Sequence, residues 1–186
     1  MTRRALVRSA GAQRWESTGC FSENFKEFHA PDGHILRETA VEVYNISKTF
    51  DAPLQFVFDW CTDFRDDDGK MVGSKTRQQF LERTAERIVW VSRYKEEGKT
   101  IEGVRVVWLH PPNSWHLDTC GDLRELGDYK LTSLGKTKTR LDMAFQLSYD
   151  DPKDVRDKKE WEKEVLEEWD TYGKYLEKDY KKSVTK

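Results

Sequence analysis

The chain has 186 residues, enough for one domain with a sizeable core and short for two. Its 32 Lys and Arg stand against 34 Asp and Glu, a net charge of −2, so it lacks the basic footprint of a nucleic-acid binder. Charged residues make up 35% of the chain and no apolar run approaches the roughly 20 residues of a membrane span, which reads as a soluble protein rather than a helical membrane protein.

Residues 1–38 differ from the rest and read as a partly disordered N-terminal extension. Arg3, Arg4, Arg8 and Arg14 precede the first acid, Glu16, an Arg-rich and acid-poor pattern shared by organellar transit peptides and by plain mobile tails. Phe21, Phe25 and Phe28 are spaced to pack a short segment, and His29-Ala30-Pro31-Asp32-Gly33 is a turn cluster that closes it. Cys20, Cys61 and Cys120 are odd in number and form no C-x-x-C pair, so they read as reduced thiols in a cytoplasmic setting, with an organelle as the alternative.

A domain follows over 39–183. It opens on a strand through Val41, Val43 and Phe50, rich in β-branched and aromatic residues. Asp51 is placed to cap a helix that carries Pro53 in its first turn, and Leu54, Val57, Phe58, Cys61 and Phe64 give that helix one apolar face. Asp66-Asp67-Asp68-Gly69 ends it. An EF-hand template placed on Gly69 puts Phe64 and Lys75 where carboxylates are needed, so the segment reads as a solvated turn.

Between about Lys75 and Tyr149 the apolar period changes from 3.6 to 2. Ile88, Trp90, Ser92 and Tyr94 share one strand face; Val104, Val106, Trp108 and His110 share another, with Arg105, Val107 and Leu109 opposite. Trp115, Leu117 and Thr119 follow, then Tyr129, Leu131 and Ser133, then Leu141, Met143, Phe145 and Leu147. Short turns such as Pro111-Pro112-Asn113 and Gly135-Lys136 separate these runs, which makes them hairpins of an antiparallel meander; a sixth strand is expected in the same span with no run assigned to it, seven strands in all with the first.

From about residue 152 to 182 the helical period returns. Trp161, Val165, Trp169, Tyr172, Leu176 and Tyr180 form a stripe on a helix of about 30 residues, roughly 45 Å long. So aromatic a stripe needs an apolar surface, and only the sheet offers one. Lys178, Lys181, Lys182 and Lys186 gather at its end, where they complement the helix dipole or supply a transient contact with an anionic membrane.

The order of strand, Ala52-Pro53 helix, acidic break, six-stranded meander and long terminal helix resembles the SRPBCC or START-like helix-grip superfamily. The opening Phe50-Asp51-Ala52-Pro53, followed by a helix that closes on Asp63, is similar to that superfamily's own. The resemblance implies an α+β fold in which a curved seven-stranded antiparallel sheet wraps a long C-terminal helix. It also implies a hydrophobic small molecule between the two, such as a lipid, a quinone or a polyketide-like compound, and no cofactor.

The expected lining is Trp90, Tyr94, Val106, Trp108 and His110 from the third and fourth strands. Trp115, Leu117, Tyr129, Leu131, Met143 and Phe145 come from the next three, with Trp169 and Tyr172 from the helix. His110, His116 and Cys120 are nitrogen and sulfur donors without a shared geometry and carry no metal assignment. Asp128 follows Gly127 near a strand end and Asp142 alternates with Leu141 and Met143, so both should point outward, and Asp118 lies on a strand where burial can tune a carboxyl. The chain holds no Ser-His-Asp order, phosphate loop or H-E-x-x-H, so no catalytic residue is assigned. Three readings follow: a ligand carrier first, then a small cyclase or dehydratase using the same cavity, or a ligand-free interaction domain.

Overall fold

Period-2 runs closed by tight turns become seven strands: β1 Ala40–Phe50, β2 Arg77–Arg83, β3 Arg87–Glu96, β4 Lys99–His110, β5 Ser114–Gly121, β6 Glu125–Gly135 and β7 Lys138–Tyr149. Two short helices, α1 Leu54–Cys61 and α2 Asp68–Met71, follow β1, and α3 Lys158–Val184 ends the chain. The computed structural model describes residues 40–65, 68–73, 76–96, 98–121, 124–149 and 155–185. The Arg-rich start, its phenylalanines and the 29–33 turn lie outside them, as do Asp66 and Asp67 of the acidic turn.

Every neighbouring pair of strands is antiparallel, in the order β1-β7-β6-β5-β4-β3-β2, so β1 and β2 are the open edges. Helices α1 and α2 carry the chain from one edge to the other. The β1–α1 corner is pinned by the buried Thr139 hydroxyl, which donates to the Ala52 carbonyl at 2.8 Å. Asp51 does not cap α1. The helix starts at Leu54 with Pro53 as its N-cap, two residues beyond the reach of that carboxylate, which faces Lys138 at 3.6 Å instead.

Helix α3 begins at Lys158, later than the expected start near residue 152, because Asp157 takes the N-cap and accepts from the Glu160 amide at 3.0 Å. It is clamped to the sheet side at both ends. Trp161 packs on Tyr44 with centroids 4.2 Å apart, and Lys158 donates to the Val43 carbonyl at 3.0 Å. Further along, Lys48 pairs with Asp170, and Leu176 is fully buried. Gly173 allows the close approach: a Cβ there would stand 3.3 Å from the Phe50 ring. The middle of α3, around 165–172, spans the sheet between these clamps. No helix among the described residues is long and apolar enough to cross a membrane.

Candidate functional site

Cross-strand partners in an antiparallel ladder share a face, so the register decides what looks at α3. Trp90 pairs with Arg105, Arg105 with Thr119, and Thr119 with Glu125. Trp90 is buried, so all four lie on the concave face. The next rank is Ile88, Val107, Leu117, Gly127 and Phe145, and the one after it holds Leu109, Trp115, Tyr129 and Met143.

The phase expected for β4 is therefore corrected. Val106, Trp108 and His110 turn away from α3, while Arg105, Val107 and Leu109 turn toward it. Both faces of β4 carry apolar residues, and pairing with β3 outweighs the preference of a lone arginine for solvent. Trp108 lies over His116 on the outer face, 5.6 Å between ring centroids, and the His116 ring nitrogen meets the outward Asp128 at 2.8 Å. His110 is exposed at the strand end. Asp142 is outward too, held by Ser47 and Arg140, and Asp118 faces away from α3 beside Cys120.

Between the concave face and α3 lie two adjoining cavity lobes, about 300 and 360 Å³. Trp90, Trp115, Tyr129, Trp169 and Tyr172 wall both; Tyr94 lines the first, Leu117 and Phe145 the second. Leu131 and Met143 are buried in the core but line neither lobe. Trp115 and Tyr129 stack at 4.9 Å with 12° between their planes. Gly127 makes that possible, since a Cβ there would meet the Tyr129 ring at 2.8 Å. Phe64 lines both lobes, its ring 5.2 Å from that of Trp90. Its φ of +41° is costly for a bulky residue and is held by Arg83, which donates to the Asp63 and Phe64 carbonyls at 3.0 and 2.6 Å.

The cavity also holds charge. Arg105 and Glu125 face each other at 4.0 Å, and Glu168 reaches in from α3. Burial pushes the Glu125 carboxyl above its ordinary value, with Arg105 pulling the other way. Burial raises Glu168 too, against a hydrogen bond to Tyr172 and the charge of Arg105, while Glu125 adds to the rise. Glu168 is itself exposed, bordering an open groove beside Met71 and Val72 as well as both lobes. The Tyr129 and Tyr172 hydroxyls are pushed up, first by burial and next by the neighbouring carboxylates. Arg105 Nε and Thr119 Oγ1 are buried and make no hydrogen bond among the described residues. No group of three or more His, Cys, Asp or Glu among the described residues is arranged for a metal.

Sequence reasoning missed Arg105, Glu125 and Glu168. A signal for Glu168 exists: it lies seven residues after Trp161 and four before Tyr172, on the apolar stripe itself.

Glu125 gives a pH prediction. Its folded value lies above its unfolded one, so its ionisation opposes folding. The penalty is absent below the unfolded value and grows as pH rises through the folded one. Glu125→Gln should therefore gain stability relative to wild type between about pH 4 and 8, read by urea unfolding across that range. A relative loss on raising the pH would mean that attraction to Arg105 exceeds the burial cost.

The seven-stranded open sheet gripping a C-terminal helix is the START-like helix-grip fold. Solved structures that share it include the following three. Ara h 8.0201 superposes with a TM-score of 0.58 at 12% identity, covering 74% of this chain and 98% of its own. The ZhuI aromatase/cyclase from Streptomyces sp. R1128 gives 0.56 at 12%, over 78% and 96%. A START superfamily protein from Mycobacterium smegmatis gives 0.54 at 14%, over 75% and 97%. At these identities the likeness is one of fold. No protein-family model and no curated protein matches the sequence.

Proposed function

We propose that the protein binds and carries an apolar or aromatic small molecule, such as a lipid, a quinone or a polyketide-like compound, between the sheet and α3. The observation that supports this best is the pair of adjoining lobes walled by Trp90, Trp115, Tyr129 and Trp169, with one polar end at Arg105 and Glu125. Their volumes fall at the lower end of the range for small-molecule sites. The lysines at the end of α3 would serve transient contact with an anionic membrane during ligand pick-up.

N-phenyl-1-naphthylamine, a neutral apolar probe, should quench tryptophan emission and saturate near one per chain. Trp108→Ala should leave its affinity within about twofold, because that ring lies on the outer face and loses no buried ligand contact. Failure of this and other apolar probes to saturate would remove support for a carrier and favour an interaction domain.

A second reading, a cyclase or dehydratase, rests on the two carboxyls and two tyrosines that face the cavity, the group types that proton transfer uses. A carrier returns its ligand unchanged; mass spectrometry of an incubated ligand separates the two.

A further inference from the structure

We propose that the cavity selects ligands with one positive charge, an apolar or aromatic body bearing a single ammonium group, with Glu168 as its counter-ion; this rests on the binding reading above. The charged side chains that line the lobes are Arg105 from β4, Glu125 from β6, Glu168 from α3 and Asp68 from α2. Asp68 is already engaged by Arg65, whose Nε donates to it at 3.1 Å and whose backbone amide donates at 2.8 Å. Arg105 stands closest to Glu125, at 4.0 Å. One guanidinium thus answers one of the two remaining carboxylates.

Glu168 keeps the neutral Tyr172 hydroxyl and makes no ion pair among the described residues. With both carboxylates ionised the cavity carries one net negative charge, centred on Glu168 at its exposed side, and that charge attracts a cation or a proton. The walls suit the cation. Trp169 and Tyr172 line the lobe that Glu168 enters, 5.7 Å apart between centroids, while the Trp60 ring beside them already holds the Arg65 guanidinium at 5.0 Å. Aromatic faces favour an ammonium over a neutral group of equal size.

Thr119 is fully buried between Arg105 and Glu125 and lines neither lobe, so its unpartnered hydroxyl says nothing of an occupant. An anionic ligand would instead add a third negative charge beside Glu125 and Glu168.

The test uses three near-isosteric probes on the full chain near pH 7.5: 2-(2-naphthyl)ethylamine, 2-naphthaleneethanol and 2-naphthylacetate, each titrated by calorimetry. The amine should bind at least about tenfold more tightly than the alcohol, a difference of about 1.4 kcal/mol, and the acid more weakly than the alcohol. Glu168→Gln should close the gap between amine and alcohol, and lowering the pH until Glu168 is protonated should close it in the wild type. An amine no tighter than the alcohol, or an acid that binds most tightly, overturns the charge selectivity and leaves the carrier reading standing. Binding of none of the three overturns both.

Discussion

Phe50→Ala should lower the unfolding free energy by about 3–5 kcal/mol, the range for deleting a ring from a packed core. Phe50 is fully buried at the end of β1, its ring meets α3 where Gly173 lets the helix approach, and Trp169 lies 6.3 Å away. The contact joins the sheet to the helix, so the vacated space cannot be refilled from one side alone. Urea unfolding should show a lower midpoint with an unchanged m-value. A loss under about 1 kcal/mol would mean that α3 is not held on β1 through this ring.

Trp115→Ala should cost a comparable amount, about 3–5 kcal/mol, and in addition weaken the N-phenyl-1-naphthylamine complex at least about tenfold. Its indole is 4% exposed, stacks on Tyr129, meets the edge of Phe58 from α1, and walls both lobes. Removing it takes a floor from the cavity and a support from the Tyr129 ring at once. The contrast with Trp108→Ala is the informative part. Both residues look alike in sequence, each a Trp on an alternating strand, yet only the concave one should matter to a ligand. Equal effects of the two substitutions on probe affinity would contradict the register of β4 with β3.

What the chain determines by itself is periodicity. The change from 3.6 to 2 at the meander and back at α3, together with turn chemistry, sufficed to place six antiparallel strands and one long helix, because amphipathic spacing and tight turns are local properties; β2, Arg77–Arg83, carries no such apolar run. The Trp161-to-Tyr180 stripe likewise foretold which face of α3 meets the sheet. Two boundaries moved. Asp157 caps α3 several residues past the expected start near 152, and α1 begins after Pro53 with no side-chain cap from Asp51, since which side chain reaches a helix end depends on where the neighbouring chain runs.

Only the tertiary structure decided which face of β4 is inner. Val104, Val106 and Trp108 are as apolar as Val107 and Leu109, so hydropathy does not choose between them; the pairing of Trp90 with Arg105 does. The same pairing brings Arg105 to Glu125, 20 residues away in sequence, and α3 adds Glu168 from still farther along. Local rules assign a charged residue to the surface, because burying a charge alone is costly. Inside a cavity, however, the opposite charges of Arg105 and Glu125 from two separate strands offset one another, and that compensation exists only once the chain has folded.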